Sequence, residues 1–289
     1  MTYDATGLQG LDYELCTYEG SRLQFRGPQP DLTGGYVAFL GATETFGKFV
    51  QDPYPALLDK LLPASVVNLG MINGGVDAYL ADPAILKLAR KAELRVVQVF
   101  GALNQSNHYY KVHPRRNDRF IGACETLIRL FPEVDFAEFH YTKAMLAALH
   151  KLSNTRYKMV CEELQKIWLQ RMNKLLDEIG DDTILLWFAA ARPSRNAPDD
   201  PFDPMLIDAD MIQSLRLRTR CYVEFVPGPV ARSVDKSDLL SVMISPDAVD
   251  CIMGANAHAQ AAQALQESCL HLLKYKRPTQ SAGRLKSDI

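Results

Sequence analysis

A chain of 289 residues, 47% hydrophobic and 23% charged, holds enough apolar material for one large α/β domain or two small ones. Its 32 Lys and Arg against 34 Asp and Glu leave a net charge near −2, which gives no electrostatic reason to expect nucleic acid as a partner. No run approaches about eighteen apolar residues, and "MTYDATGLQG" lacks a basic then apolar pattern, so neither a membrane span nor a signal peptide is expected and a cytoplasmic location follows. Cys16, Cys124, Cys161, Cys221, Cys251 and Cys269 are scattered, without a CxxC or a histidine at metal spacing. They read as buried free thiols, and no metal or cofactor is expected.

In chain order, residues 1–35 form a lead-in to the core, and the first strand is "YVAFLG" (36–41). "YPALLDKLLP" then has helical spacing, followed by the strand "SVVNLG" (65–70), the helix "DPAILKLARKA" and the strand "RVVQVFG" (95–101). From Thr155 to Gly180 one face carries Tyr157, Val160, Cys161, Leu164, Trp168, Met172, Leu175, Leu176 and Ile179, with Gly180 as the stop. "TILLWFA" (183–189) and "CYVEFV" (221–226) are the last strands. A final helix runs from about Ala257 to Tyr275, before a polar tail, 276–289.

No Gly/Ser linker divides the chain, so residues 36–275 are expected to form one domain. Continuous apolar strands separated by helices predict right-handed crossovers and a three-layer α/β/α, flavodoxin-like architecture around five parallel strands. In such sheets ligands sit beyond the carboxyl ends of the strands. The turn at Gly41, "MINGGVDAYL", "ALNQSNHYYKVHPRRNDRF" and "AARPSRNAPDDPFDPM" are thus brought to one edge.

The turn "GATETFGKFV" invites a phosphate-loop reading, but Gly41 and Gly47 are separated by five residues where four are needed, and Phe49 stands where the magnesium-binding hydroxyl belongs. "FLGATETFGKFV" with "PYPALL", then "VVNLGMINGGVDAYL", "QVFGALNQSN" and "NAHAQAAQAL", resembles instead the ordered blocks of SGNH-type (GDSL-like) esterases and acyltransferases. More narrowly it is similar to an uncharacterised bacterial family that joins such a core to "SRLQFRGP" and "HPRRNDRF".

That resemblance implies acyl transfer or hydrolysis, often on carbohydrates. It puts Thr43 at the nucleophile position, where a Ser after Asp would stand, and Ala42 at the acidic neighbour. It implies an oxyanion hole from a backbone amide at Asn73 or Gly74 and the side chain of Asn104, with Asn107 as the fallback, and His258 as general base. Ala255 stands where the orienting Asp belongs, with Asp247 and Asp250 nearby in sequence. Each residue also has a structural reading: Thr43 as a helix cap, His258 as a hydrogen-bonded helix-start residue, the asparagines as loop staples.

Lys111, His113, Arg115, Arg116 and Arg119 follow the third strand, behind Tyr109 and Tyr110, with Arg192 and Arg195 in the next strand-end loop. Guanidiniums in such a cluster can grip phosphate, sulfate or a uronic-acid carboxylate, and tyrosines beside them suit sugar stacking. The other reading is a solvated, salt-bridged loop. Two functions compete: an ester hydrolase or O-acyltransferase on a carbohydrate using a Thr43–His258 dyad, and a catalytically silent protein of the same build. The second would bind an anionic saccharide through Arg115, Arg116 and Tyr109, or serve as a module with protein assembly partners. Nucleotide-dependent group transfer is the weakest alternative.

Overall fold

The computed structural model describes residues 13–195, 204–232 and 253–276. Five strands, β3 (Tyr36–Gly41), β4 (Ser65–Gly70), β5 (Leu94–Gln98), β8 (Thr183–Phe188) and β9 (Cys221–Phe225), form one parallel sheet in the order β4-β3-β5-β8-β9. Two antiparallel pairs lie outside it: β1 (Leu15–Cys16) with β2 (Phe25–Arg26), and β6 (Tyr110–His113) with β7 (Arg116–Ala123). Among the described residues the α-helices are α1 (Thr43–Phe46), α2 (Tyr54–Asp59), α3 (Val76–Leu80), α4 (Pro83–Lys91), α5 (Glu125–Leu130), α6 (Thr142–Leu152), α7 (Asn154–Ile179), α8 (Ala209–Arg216), α9 (Pro229–Arg232) and α10 (Ala255–Lys276).

The strands are largely apolar because the sheet is covered on both faces; every residue of β3 and β8 is buried, whereas the edge strand β9 carries Glu224 and is only partly buried. Period-two alternation divides them between two cores. Ala38, Leu40, Val67, Leu69, Val97, Leu185 and Trp187 pack with α3, α4, α7 and α8. Val37, Phe39, Val66, Val96, Ile184, Leu186 and Phe188 pack with α2 and α10 on the other face. The result is the expected three-layer α/β/α arrangement. The predicted stripe on α7, Tyr157 to Ile179, is the set of residues that the helix buries. Among the described residues no helix is long and apolar enough to cross a membrane.

Differences from the expected elements have local causes. β5 stops at Gln98 because the ladder ends at the Gln98–Leu186 pair, and by Ala102 the backbone amide bonds Met205 O instead (3.0 Å). The segment read as a loop after that strand contains the β6–β7 hairpin, whose register shifts around Val112 break the alternation that would have revealed it. Of the five cysteines described, all are free thiols; Cys161 and Cys269 are buried, whereas Cys16, Cys124 and Cys221 are only partly so.

The ends of β3 and β4 are stitched by Tyr79 of α3. Its buried phenol accepts from Gly41 N (3.1 Å), and its single proton lies between Gly41 O (2.8 Å) and Leu69 O. Tyr79→Phe strands these backbone groups without changing the ring, so it should cost about 1–3 kcal/mol in urea unfolding. An unchanged midpoint would show the hydroxyl to be dispensable.

Candidate functional site

Gly41 and Gly70 sit opposite each other at the carboxyl ends of β3 and β4. A Cβ on Gly70 would lie 2.2 Å from Phe46 N, and one on Gly41 1.9 Å from Thr45 Oγ1, so only glycines let α1 fold directly across the strand ends. With four residues, α1 cannot sustain itself, and Ala42 has no capping side chain. Gln98 of β5 supplies the cap: its Oε1 accepts from Ala42 N and Thr45 N (both 3.2 Å) and from the Thr45 hydroxyl, while Nε2 donates to Glu44 (2.7 Å).

Thr43 is therefore not the cap of its helix. Its hydroxyl accepts from Asn73 N (2.9 Å) and donates to Asn73 Oδ1 (3.2 Å). Asn73, with φ 52° in the left-handed region, also donates through Nδ2 to Asp118 (3.3 Å). Asn104 Nδ2 donates to Asn73 O (3.1 Å), and its Oδ1 accepts from Thr142 Oγ1 (2.8 Å). A chain of short polar contacts thus ties the loops after β3, β4 and β5 to the start of α6.

These residues wall a cavity of 330 Å³ that also takes in Glu44, Gln98, Gly101, Tyr141, Lys143 and Met253. It lies between the ends of β3 and β5, where the crossovers diverge toward opposite edges of the sheet, the place where doubly wound folds bind ligands. Tyr141 is 43% exposed there, with the Arg119 guanidinium 5.2 Å from its ring centroid. Among the described residues no group of three or more His, Cys, Asp or Glu could hold a metal ion.

Of the residues singled out in the sequence, Thr43, Asn73, Gly74 and Asn104 meet in this cavity. Their donors are engaged: Gly74 N bonds Met71 O (3.0 Å), Asn73 N bonds Thr43, and the Asn104 amide bonds Asn73 O. His258 does not line the cavity; Met253 is what its segment presents there. The imidazole is 2% exposed on the first turn of α10, with Nδ1 accepting from Tyr54 N (3.1 Å) and the ring against Tyr54 and Phe188. Burial, then the positive charge of Arg26, lowers its pKa from 6.5 to about 3, against a hydrogen bond with the Met253 backbone.

Asn107 and Tyr109 also lie elsewhere. Asn107 Oδ1 accepts from Tyr109 N (2.8 Å) and Tyr110 N (3.1 Å), and burial followed by Glu163 and Glu162 raises the Tyr109 phenol pKa. Arg115 and Arg116 line a neighbouring groove. Arg192 pairs with Glu224 (3.3 Å). Asp247 and Asp250 fall outside the described residues. Gln98 was missed in the sequence although it carried a signal, a lone amide in an apolar strand; Tyr141, Thr142 and Lys143 carried none, being set beside the cavity by the hairpin before α6.

With that geometry in place, the chain is seen to belong to the family described as Domain of unknown function (DUF6473), whose model matches residues 1–273. No curated protein matches significantly. Among solved structures it is similar to the lipase Lip_vut3 from a goat rumen metagenome, at 11% identity and a TM-score of 0.42 over 82% of this chain and 98% of that one. A likeness of that degree carries no functional argument.

Folding lowers the affinity of His258 for a proton, so its contribution is complete above pH 6.5, where the unfolded chain is also neutral, and declines as pH falls toward 3. The wild-type unfolding free energy should drop by up to about 1.4 kcal/mol per pH unit through that window, and His258→Leu should flatten the slope. Parallel pH profiles for the two proteins would refute the assignment.

Proposed function

We propose that the strand-end cavity binds a hydroxyl-rich ligand, a saccharide, without hydrolysing it. The observation that carries this reading is the placement of His258, whose Nδ1 takes the Tyr54 amide while no histidine lines the cavity beside Thr43. A hydroxyl becomes a nucleophile when an adjacent base removes its proton; here the Thr43 proton points to the carboxamide oxygen of Asn73, which is no base. Hydrolysis by Thr43, with His258 as base and Asn104 with the Asn73 or Gly74 amide as oxyanion hole, would need the imidazole to leave its core and the engaged backbone amide of Asn73 or Gly74 to be released. The order of blocks that resembles SGNH-type esterases fits a cleft kept after its catalytic pattern has gone.

What lines the cavity supports a sugar in particular. The carboxylates of Glu44 and Asp118 offer acceptors, and the second N–H of each of the Asn73, Asn104 and Gln98 carboxamides, whose first is bonded within the protein, offers donors, as vicinal hydroxyls require. The exposed Tyr141 ring gives a face for stacking. Among the described residues, two carboxylates against the one ammonium of Lys143 suit a neutral sugar unit in this cavity better than an anionic one.

The protein should not turn over p-nitrophenyl acetate above the rate of Thr43→Ala. Calorimetry against neutral tetrasaccharides should find one whose affinity falls about fivefold to tenfold in Tyr141→Ala. Turnover that disappears in a folded Thr43→Ala variant would overturn the proposal.

A further inference from the structure

Beside the cavity lies a groove of 820 Å³ that shares two of its walls, Asn73 and Asp118. Its charge is of the opposite kind. Arg22 of the lead-in and Arg115 and Arg116 of the β6–β7 turn line it, with Asp118 as the one carboxylate among the described residues. Among the described residues these three arginines enter no ion pair, whereas Arg90, Arg129, Arg156, Arg171 and Arg218 are each matched with an acid.

The turn is shaped to present them. His113 Nδ1 accepts from both Arg115 N and Arg116 N (3.2 Å each), which fixes the backbone that carries the two arginines. The groove lining also includes Phe46, Met71 and Ile72, of which Ile72 is exposed and offers an apolar contact for the carbon skeleton of a sugar.

We propose that this groove is an anion subsite: it holds a sulfate, phosphate or carboxylate group on an acidic oligosaccharide whose adjoining neutral unit occupies the cavity, across the shared wall at Asn73 and Asp118. This rests on the saccharide reading of the cavity. It assigns the arginines to the next unit of the same chain, because the cavity itself carries two carboxylates. Guanidiniums recognise all three oxyanions through paired N–H donors, so the groove defines the charge and the probes define the group.

The test is calorimetry of the full chain at low ionic strength with a sulfated tetrasaccharide, an oligogalacturonate, a sugar phosphate, a neutral tetrasaccharide and inorganic sulfate. At least one acidic saccharide should bind more tightly than the neutral one, with inorganic sulfate competing for it alone. Arg22→Ala should weaken that binding about tenfold and Arg115→Ala with Arg116→Ala about a hundredfold, leaving the neutral ligand unaffected. Tyr141→Ala should weaken both saccharides and leave inorganic sulfate untouched. If the arginine variants bind the acidic saccharide as the wild type does, or if inorganic sulfate binds and no acidic saccharide does, the inference falls. If Tyr141→Ala changes neither saccharide while the arginine variants still matter, the cavity reading falls and the anion site stands.

Discussion

The crossing of α1 over the glycine ends of β3 and β4 is the constraint on which the site depends. Two side-chain-free positions in register let a four-residue helix rest on the sheet edge with its backbone against Gly70. That placement sends the Thr45 hydroxyl inward to Gln98 and Tyr54, and the Thr43 hydroxyl outward to Asn73. A methyl group at either glycine would push the helix off the edge and dissolve this division of roles.

Inward of that crossing, polar groups link the two layers of the molecule. Gln98 receives Thr45, Thr45 receives the Tyr54 phenol, and the Tyr54 amide ends on His258 in the first turn of α10. Arg26, bonded to the Phe46, Gly47 and Gln51 carbonyls, ties the lead-in to the end of α1 and adds positive charge near the imidazole. Buried polar groups are tolerated where each finds a partner, and these do. The histidine thereby acts as an uncharged acceptor within the core. Its neutrality comes first from burial and then from the positive charge of Arg26.

Much of the frame was legible because burial on both faces leaves an unmistakable trace. Residues 36–41, 65–70 and the stripe of α7 could be read directly, since apolar runs and helical spacing record which surfaces avoid water. The site was legible in part. Thr43, Asn73, Gly74 and Asn104 follow strand ends and meet at one edge; Asn107 and Tyr109, in the same strand-end loop as Asn104, lie outside the cavity, and His258 was assigned to that edge by block order alone. Block order says which segment arrives at a cleft and leaves the direction of each side chain to packing. One turn of α10 was enough to turn the imidazole toward Tyr54 and leave Met253 at the rim.

The sequence by itself determined the alternation of strands and helices, the parallel sheet and the edge where its loops converge, because these follow from chain-local periodicity and the handedness of crossovers. Only the tertiary structure decided which polar groups face the cavity and which face each other. Hydrogen-bond partners such as Thr43 with Asn73, Gln98 with Thr45 and His258 with Tyr54 are 30, 53 and 204 positions apart, and no local pattern encodes a choice made by burial across that distance.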